Sequence, residues 1–405
     1  MSVATMGSVV IDRSSANVLP GLLGFFFSFR LILILLSVRA FLADPQLGVE
    51  ISIASNLLFL AVVIFHSMGP AALTFRTLTQ ITCFRWVLVF VGFSLCSLIW
   101  TAAVSVPAAA AYWSAMAADV FCVVLLLRTD SEESVTSSLM AGYVAGACGV
   151  ALIAWILPAE YDLRLGDEEL LGPNQIGFAC AFALFLAQYL INNGRKIWKL
   201  PAAFLAITLL RSLSKTTIIA FVVAEAFILA KDATISKRTK VMLWVGAGLV
   251  VAAFWNLLGD YYEVYTNAGN QSETLTGRIG IWAVILDLAF EHPWIGHGFH
   301  SVWKVVPSFG DFEPRHAHNE LLQQFYTYGV AGVLMLVMLY TSFYRQIRKL
   351  PSSPTRTLFL GMLIFVIVRG LADTEVFDLS LPLWFLALIS LSLAAPQLRA
   401  REGRL

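Results

Sequence analysis

Runs of roughly 17–25 predominantly apolar residues follow one another along the whole chain, each long enough to cross about 30 Å of hydrocarbon at about 1.5 Å per residue. The short alternating segments of a transmembrane β-barrel are absent, so the pattern predicts an all-α polytopic membrane protein. Composition agrees. Of 405 residues 59% are apolar and 13% charged, against about 45–50% and about 25% in a soluble domain. A net charge of +1 argues against nucleic acid as a partner. The five cysteines, Cys83, Cys96, Cys122, Cys148 and Cys180, form no C-x-x-C pair, so neither a disulfide framework nor a thiolate metal site is expected. The N-terminus lacks a short cleavable apolar segment, and the first span is expected to stay.

Twelve spans are expected, over 20–42, 51–68, 84–103, 108–127, 137–157, 173–192, 198–211, 216–230, 241–258, 321–344, 357–372 and 381–396, in a single membrane domain over 1–405. Lys and Arg in short connections mark the cytoplasmic side. With twelve spans, the clusters at Arg76 and Arg85, Arg195–Lys199, Lys231–Lys240, Arg345–Arg356 and Arg399–Arg404 all fall on one side with the N-terminus. The opposite face receives the Arg211–Lys215 turn, Asp373–Ser380 and one large loop, 259–320, between spans nine and ten. Five of the six histidines, His292, His297, His300, His316 and His318, lie in that loop. Long ordered loops are usually functional, and the histidines meet the basic residues on the non-cytoplasmic face.

Four places there are candidates for chemistry. Arg211 and Lys215, at the outer ends of two short helices, are costly unless paired or wet. They suit phosphate oxygens, or alternatively snorkel to headgroups. Arg278 and Trp282, in Thr276-Gly277-Arg278-x3-Trp282, are four apart and share one helix face, with Thr276 as a plausible cap; the other reading is an interfacial anchor. His316-Ala317-His318-Asn319-Glu320 offers an imidazole able to take a proton from a sugar hydroxyl, its tautomer held by a carboxylate such as Glu320 or Glu375. A zinc site on His297, His300, His316 and His318 competes, but no H-E-x-x-H or Cys/His spacing supports it. No metal and no cofactor are expected. Glu375, between the last two spans, either polarises a histidine or is simply solvated.

Together these segments resemble the O-antigen ligase and polymerase family of Wzy/WaaL-like membrane proteins, and most of all its ExoQ-like exopolysaccharide-polymerase branch. The resemblance rests on Ser97-Leu98-Ile99-Trp100-Thr101, Gly172-Pro173-Asn174-Gln175-Ile176-Gly177 and Ser212-Leu213-Ser214-Lys215-Thr216. It rests above all on the run from Thr276 through His292-Pro293-Trp294-Ile295-Gly296-His297-Gly298 to His316-Ala317-His318-Asn319, with Gly329-Val330-Ala331-Gly332 after it. It implies a GT-C-like fold and metal-independent glycosyl transfer from an undecaprenyl-diphosphate-linked saccharide to a saccharide acceptor. The site would face the periplasm from the bacterial inner membrane, with a flippase and a chain-length regulator as possible partners. Arg278 and His318 match the family directly, as diphosphate ligand and base. Lys215 stands where many ligases have Arg, and Arg211 is added from charge and topology. Trp282, His316, Asn319 and Glu375 are supporting residues. A polymerase is the first expectation, a ligase acting on lipid A–core the second. A transporter is the rival of another class, disfavoured because the chain shows no similar halves and its charges collect on one face.

Overall fold

The computed structural model describes residues 18–402 apart from 41, 43, 70–72, 158–163, 167–169, 233–235, 254–274, 304, 306–314, 376 and 377. Among them every regular element is a helix. The helices are α1 (Val18–Phe29), α2 (Leu31–Arg39), α3 (Pro45–His66), α4 (Phe75–Leu78), α5 (Thr82–Ser97), α6 (Val106–Thr129), α7 (Glu132–Ile156) and α8 (Pro173–Asn192). They continue with α9 (Lys199–Arg211), α10 (Lys215–Lys231), α11 (Lys237–Ala253), α12 (Leu275–Ala289), α13 (Glu320–Arg348), α14 (Pro354–Gly370) and α15 (Leu383–Glu402).

A helix falls on each of the expected apolar segments, and on the first a pair, α1 and α2, bent by 62°. Five helices, α3, α6, α7, α8 and α13, are by themselves long and apolar enough to cross a membrane, six spans if the bent pair counts as one. Much of the expected loop 259–320 lies outside the described residues. Its described part contains α12, which begins at Leu275, so Thr276 lies within the first turn rather than before it.

Helix starts follow local chemistry. Asp44, Ser105, Ser131 and Ser353 each accept a first-turn amide through the side chain, and Pro45, Pro107 and Pro354 follow at positions where a missing N–H costs nothing. The centre of the bundle is α8, buried at every position from Ile176 to Ala187, with α15 buried from Leu383 to Leu391. Helices apolar all round belong inside. Phe182 meets Tyr143, Trp384 and Phe385 edge-on. Without a hydrophobic drive between helices in lipid, close packing of small residues takes over: a Cβ on Gly142 would lie 1.9 Å from the Gly21 carbonyl, so α1 and α7 touch main chain to main chain.

One largely buried ion pair stands at the first bend. Arg30 sits at the break between α1 and α2, and its Nη1 donates to Asp119 Oδ2 at 2.6 Å. Asn56 Nδ2 donates to the other carboxylate oxygen at 3.0 Å. Sequence reading passed over Arg30 and Asp119, although each is an ionisable residue inside an apolar run, where a partner is obligatory. Asp119→Ala strands the Arg30 charge, and losing one partner of a buried pair costs about 3–5 kcal/mol. Thermal unfolding in detergent should therefore drop sharply for Asp119→Ala and largely recover in Arg30→Met/Asp119→Leu. Equal melting of wild type and Asp119→Ala would refute the pairing argument.

Candidate active site

The frame of the site is a broken helix. Within α13, Gly329 has φ 64° and ψ −157°, outside helical space. An unbroken ladder would join the Val330 and Ala331 amides to the Tyr326 and Thr327 carbonyls. Here the segment 293–298 inserts instead: Val330 N donates to Pro293 O at 2.8 Å and Ala331 N to Trp294 O at 3.2 Å. In return His297 N donates to Tyr326 O at 3.0 Å and Gly298 N to Thr327 O at 2.8 Å. Both freed donors and both freed acceptors are satisfied. Gly329 permits the positive φ, and a Cβ on it would overlap the Trp294 carbonyl carbon at 2.3 Å. The other side of the segment is held by the end of α5 and the residues after it: Phe299 N donates to Ser97 Oγ at 3.0 Å, Ala102 N to His297 O at 2.8 Å, and Thr101 Oγ1 to Phe299 O at 2.5 Å. Three of the motifs singled out from sequence thus form one clamp.

At the start of α13, Asn319 caps the helix, accepting from Leu322 N at 3.0 Å, while its Nδ2 donates to Leu371 O at 2.9 Å. This draws the end of α14 against the histidines. His318 is buried and has φ 50°, a left-handed conformation uncommon for a non-glycine residue and concentrated at functional sites. Its Nδ1 lies 3.4 Å from Asp373 Oδ1. Arg369 Nη2 donates to Asp373 Oδ2 at 3.0 Å, and Arg369 Nη1 stands 3.0 Å from Glu375 Oε1. The partner expected for His318 was Glu320 or Glu375; the structure puts Asp373 there. Glu375 neutralises Arg369, and Glu320 is buried beneath the Tyr340 hydroxyl, 3.0 Å away, and Ser380 N, 2.7 Å away. His316 lies against His318, ring centroids 4.1 Å apart, and its Nδ1 accepts the His318 amide at 3.3 Å.

The cations come from the other flank. Arg278 and Trp282 act from one face of α12, as their spacing predicts. Arg278 Nη1 donates to Thr216 Oγ1 at 3.0 Å and to the Ala372 carbonyl, next to Asp373. Trp282 Nε1 donates to Ala317 O at 3.0 Å, between the two histidines. Lys215 is the first residue of α10, beside Thr216, and electrostatically near both Arg164 and Arg278. Arg164, buried and absent from the sequence reading, donates to Asn174 Oδ1 at 3.3 Å, and Ser214 Oγ lies 2.9 Å from the same oxygen. Asn174 thereby ties the Gly-Pro-Asn-Gln motif to the Ser-Lys-Thr motif. Arg211 closes α9 at the other end of that turn, half-buried.

Electrostatics assigns protonation states. Burial works to raise the Asp373 carboxyl, but Arg369, with the two histidines, overrides it and holds the group far below the usual carboxylate range. Burial, reinforced by His318, pushes His316 well down, so it is neutral at pH 7, as its role as acceptor requires. Burial, then Arg164 and Arg278, also lowers Lys215. His316, His318 and Asp373 offer one ligand atom each within 4.8 Å of one another. Two of these residues are already engaged, Asp373 by Arg369 and His316 by the His318 amide, and a metal would stand beside a guanidinium.

The comparisons with known proteins address the same region. Residues 200–337 match the family model Wzy_C, described as O-antigen ligase. The chain is similar to the exopolysaccharide production protein ExoQ of Rhizobium meliloti, 23% identical over 334 residues that make up 74% of either chain. It is also similar to an O-antigen ligase of Pseudomonas aeruginosa, 30% identical over 219 residues, 52% of this chain and 50% of that one. The matched region contains Arg211, Lys215, Arg278, His316 and His318; Arg369, Asp373 and Glu375 lie beyond it. Arg369 had a signal that sequence reading overlooked, a lone cation near the end of an apolar run.

With Asp373 3.4 Å from the His318 ring, Asp373→Asn should lower turnover by about 10²-fold, within the range of general-base contributions, without loss of donor binding. Glu375→Gln should cost less, because Arg369 keeps Asp373. Steady-state assays beside donor-binding titrations check both; wild-type turnover in Asp373→Asn would remove it from the site.

Proposed function

We propose that this chain is a glycosyltransferase that polymerises exopolysaccharide or O-antigen repeat units, taking the saccharide from an undecaprenyl-diphosphate-linked donor at the periplasmic face of the bacterial inner membrane. The observation that carries the reading is the juxtaposition of a histidine–aspartate pair with a cluster of cations, Arg278 buried and Lys215 half-buried, built from α10, α12, the start of α13 and the end of α14. The Wzy_C match and the ExoQ similarity over 74% of both chains support it.

In the proposed reaction the acceptor hydroxyl oxygen attacks the anomeric carbon, forming the new glycosidic bond as the bond to the diphosphate oxygen breaks. Arg278 and Lys215, with Arg211 near the same turn, hold the departing diphosphate, where preorganised positive charge favours the developing negative charge. The hydroxyl proton passes to His318, whose ring Asp373 orients and whose positive charge it balances. No step calls for a metal. The bundle is read as twelve spans of GT-C-like character with the lipid tail between helices, and a flippase and a chain-length regulator are the partners such a reaction implies. Transfer to lipid A–core is the second reading, favoured by the similarity to the Pseudomonas aeruginosa ligase. The two separate in a deletion strain: single-unit products mean a lost polymerase, whereas free lipid-linked polymer means a lost ligase.

His318→Ala should lose about 10²–10⁴-fold in turnover while still binding donor, with wild type active in EDTA. Zinc-restorable loss in EDTA would instead assign the histidines to a metal. Arg278→Ala should abolish polymer at normal protein level, and Arg278→Lys should recover little, because a point charge does not replace the guanidinium fork. Full activity of both would reduce Arg278 to a membrane anchor. For topology, a cysteine replacing exposed Glu291 should react with an impermeant reagent from outside and one replacing exposed Ser352 should not; the reverse pattern would overturn the periplasmic site.

A further inference from the structure

At the end of α13 opposite the histidines, a cavity of about 830 Å³ opens between the ends of α5, α13 and α15, within the roughly 300–1,000 Å³ common for small-molecule sites. One stripe of α13 lines it: Met338, Thr341, Arg345 and Arg348, with Lys349 beside them. Positions three, four and seven apart share a helix face, so the wall grades from apolar to cationic toward the helix end. Across from it, Trp86, Cys83 and Leu393 make an apolar floor. Arg348 stacks over the Tyr344 ring, 5.8 Å from its centroid. Neither arginine has a carboxylate partner among the described residues.

Cations at the ends of membrane helices are ordinary. The cavity differs from an ordinary end in its size and its gradient: its apolar part borders Met338 and Trp86, and at the helix end two exposed cations, Arg345 and Arg348, share one face with Lys349 beside them at the cap. An occupant that suits this wall has an apolar tail and an anionic phosphate headgroup.

We propose that this cavity is a binding site for an anionic glycerophospholipid, its acyl chains along Met338 and Trp86 and its phosphate on Arg345 and Arg348. The site lies away from the donor cations and does not depend on the glycosyltransferase reading. Basic pockets between membrane helices are known to take such headgroups, each cation contributing about 1 kcal/mol, or roughly fivefold.

The test is native mass spectrometry of the full-length protein in mild detergent, offered phosphatidylglycerol, phosphatidylcholine of the same acyl chains, and glycerol 3-phosphate. Wild type should retain phosphatidylglycerol over phosphatidylcholine by about 25-fold, two cations at roughly fivefold each, and glycerol 3-phosphate should not displace it. Arg345→Gln/Arg348→Gln should lose that preference. Thr341→Phe, which fills the cavity and leaves the charges in place, should lose retention while melting like wild type. Equal retention of both lipids, unchanged retention in the variants, or displacement by glycerol 3-phosphate would each overturn the proposal.

Discussion

The exchange of four main-chain hydrogen bonds at Gly329 is the interaction on which the candidate site depends. A helix interrupted inside a membrane bundle leaves donors and acceptors that lipid cannot satisfy, each costing several kcal/mol. Segment 293–298 meets all of them, and in doing so becomes anchored itself. It also carries Phe299 against Ser97 and Thr101, so α5 and α13 are joined through a loop rather than by side-chain packing alone. The first turn of α13 is thereby held against α12 and the end of α14, which brings His318 to Asp373.

Around that frame, buried charge is handled in two distinct ways. Arg30 and Asp119 form a one-to-one pair, and Arg369 is flanked by two carboxylates, Asp373 and Glu375. The group of Arg278, Lys215 and Arg164 gathers three cations beside Thr216, Asn174 and Ala372, and burial, then Arg164 and Arg278, lowers Lys215. A cation cluster bordering a histidine–aspartate pair suits the proposed diphosphate donor, because preorganised positive charge favours the negative charge that develops on it.

The Wzy_C match ends at residue 337, before the segment that supplies Arg369, Asp373 and Glu375. The site is therefore assembled from the matched region and the last two helices together, with Asn319 and Arg278 bridging to the main-chain carbonyls of Leu371 and Ala372. Glu320, the nearest carboxylate to His318 along the matched sequence, is occupied by Tyr340 and Ser380.

The sequence by itself determined where helices form, because length and hydropathy of each apolar run leave lipid-embedded backbone no other way to pair its amides. It also marked Arg278, Trp282, His316, His318 and Asn319 as one functional segment, since polar residues concentrated in a loop of an otherwise apolar chain are visible without any contact map. What it did not determine is which groups meet across distant helices. Arg30 and Asp119 lie 89 positions apart, and Arg278 reaches Ala372 across 94; no local period encodes such pairs. The choice of Asp373 over Glu375 or Glu320 was likewise made only in three dimensions. Three carboxylates of equal chemistry compete for one imidazole, and the direction in which α14 ends decides among them.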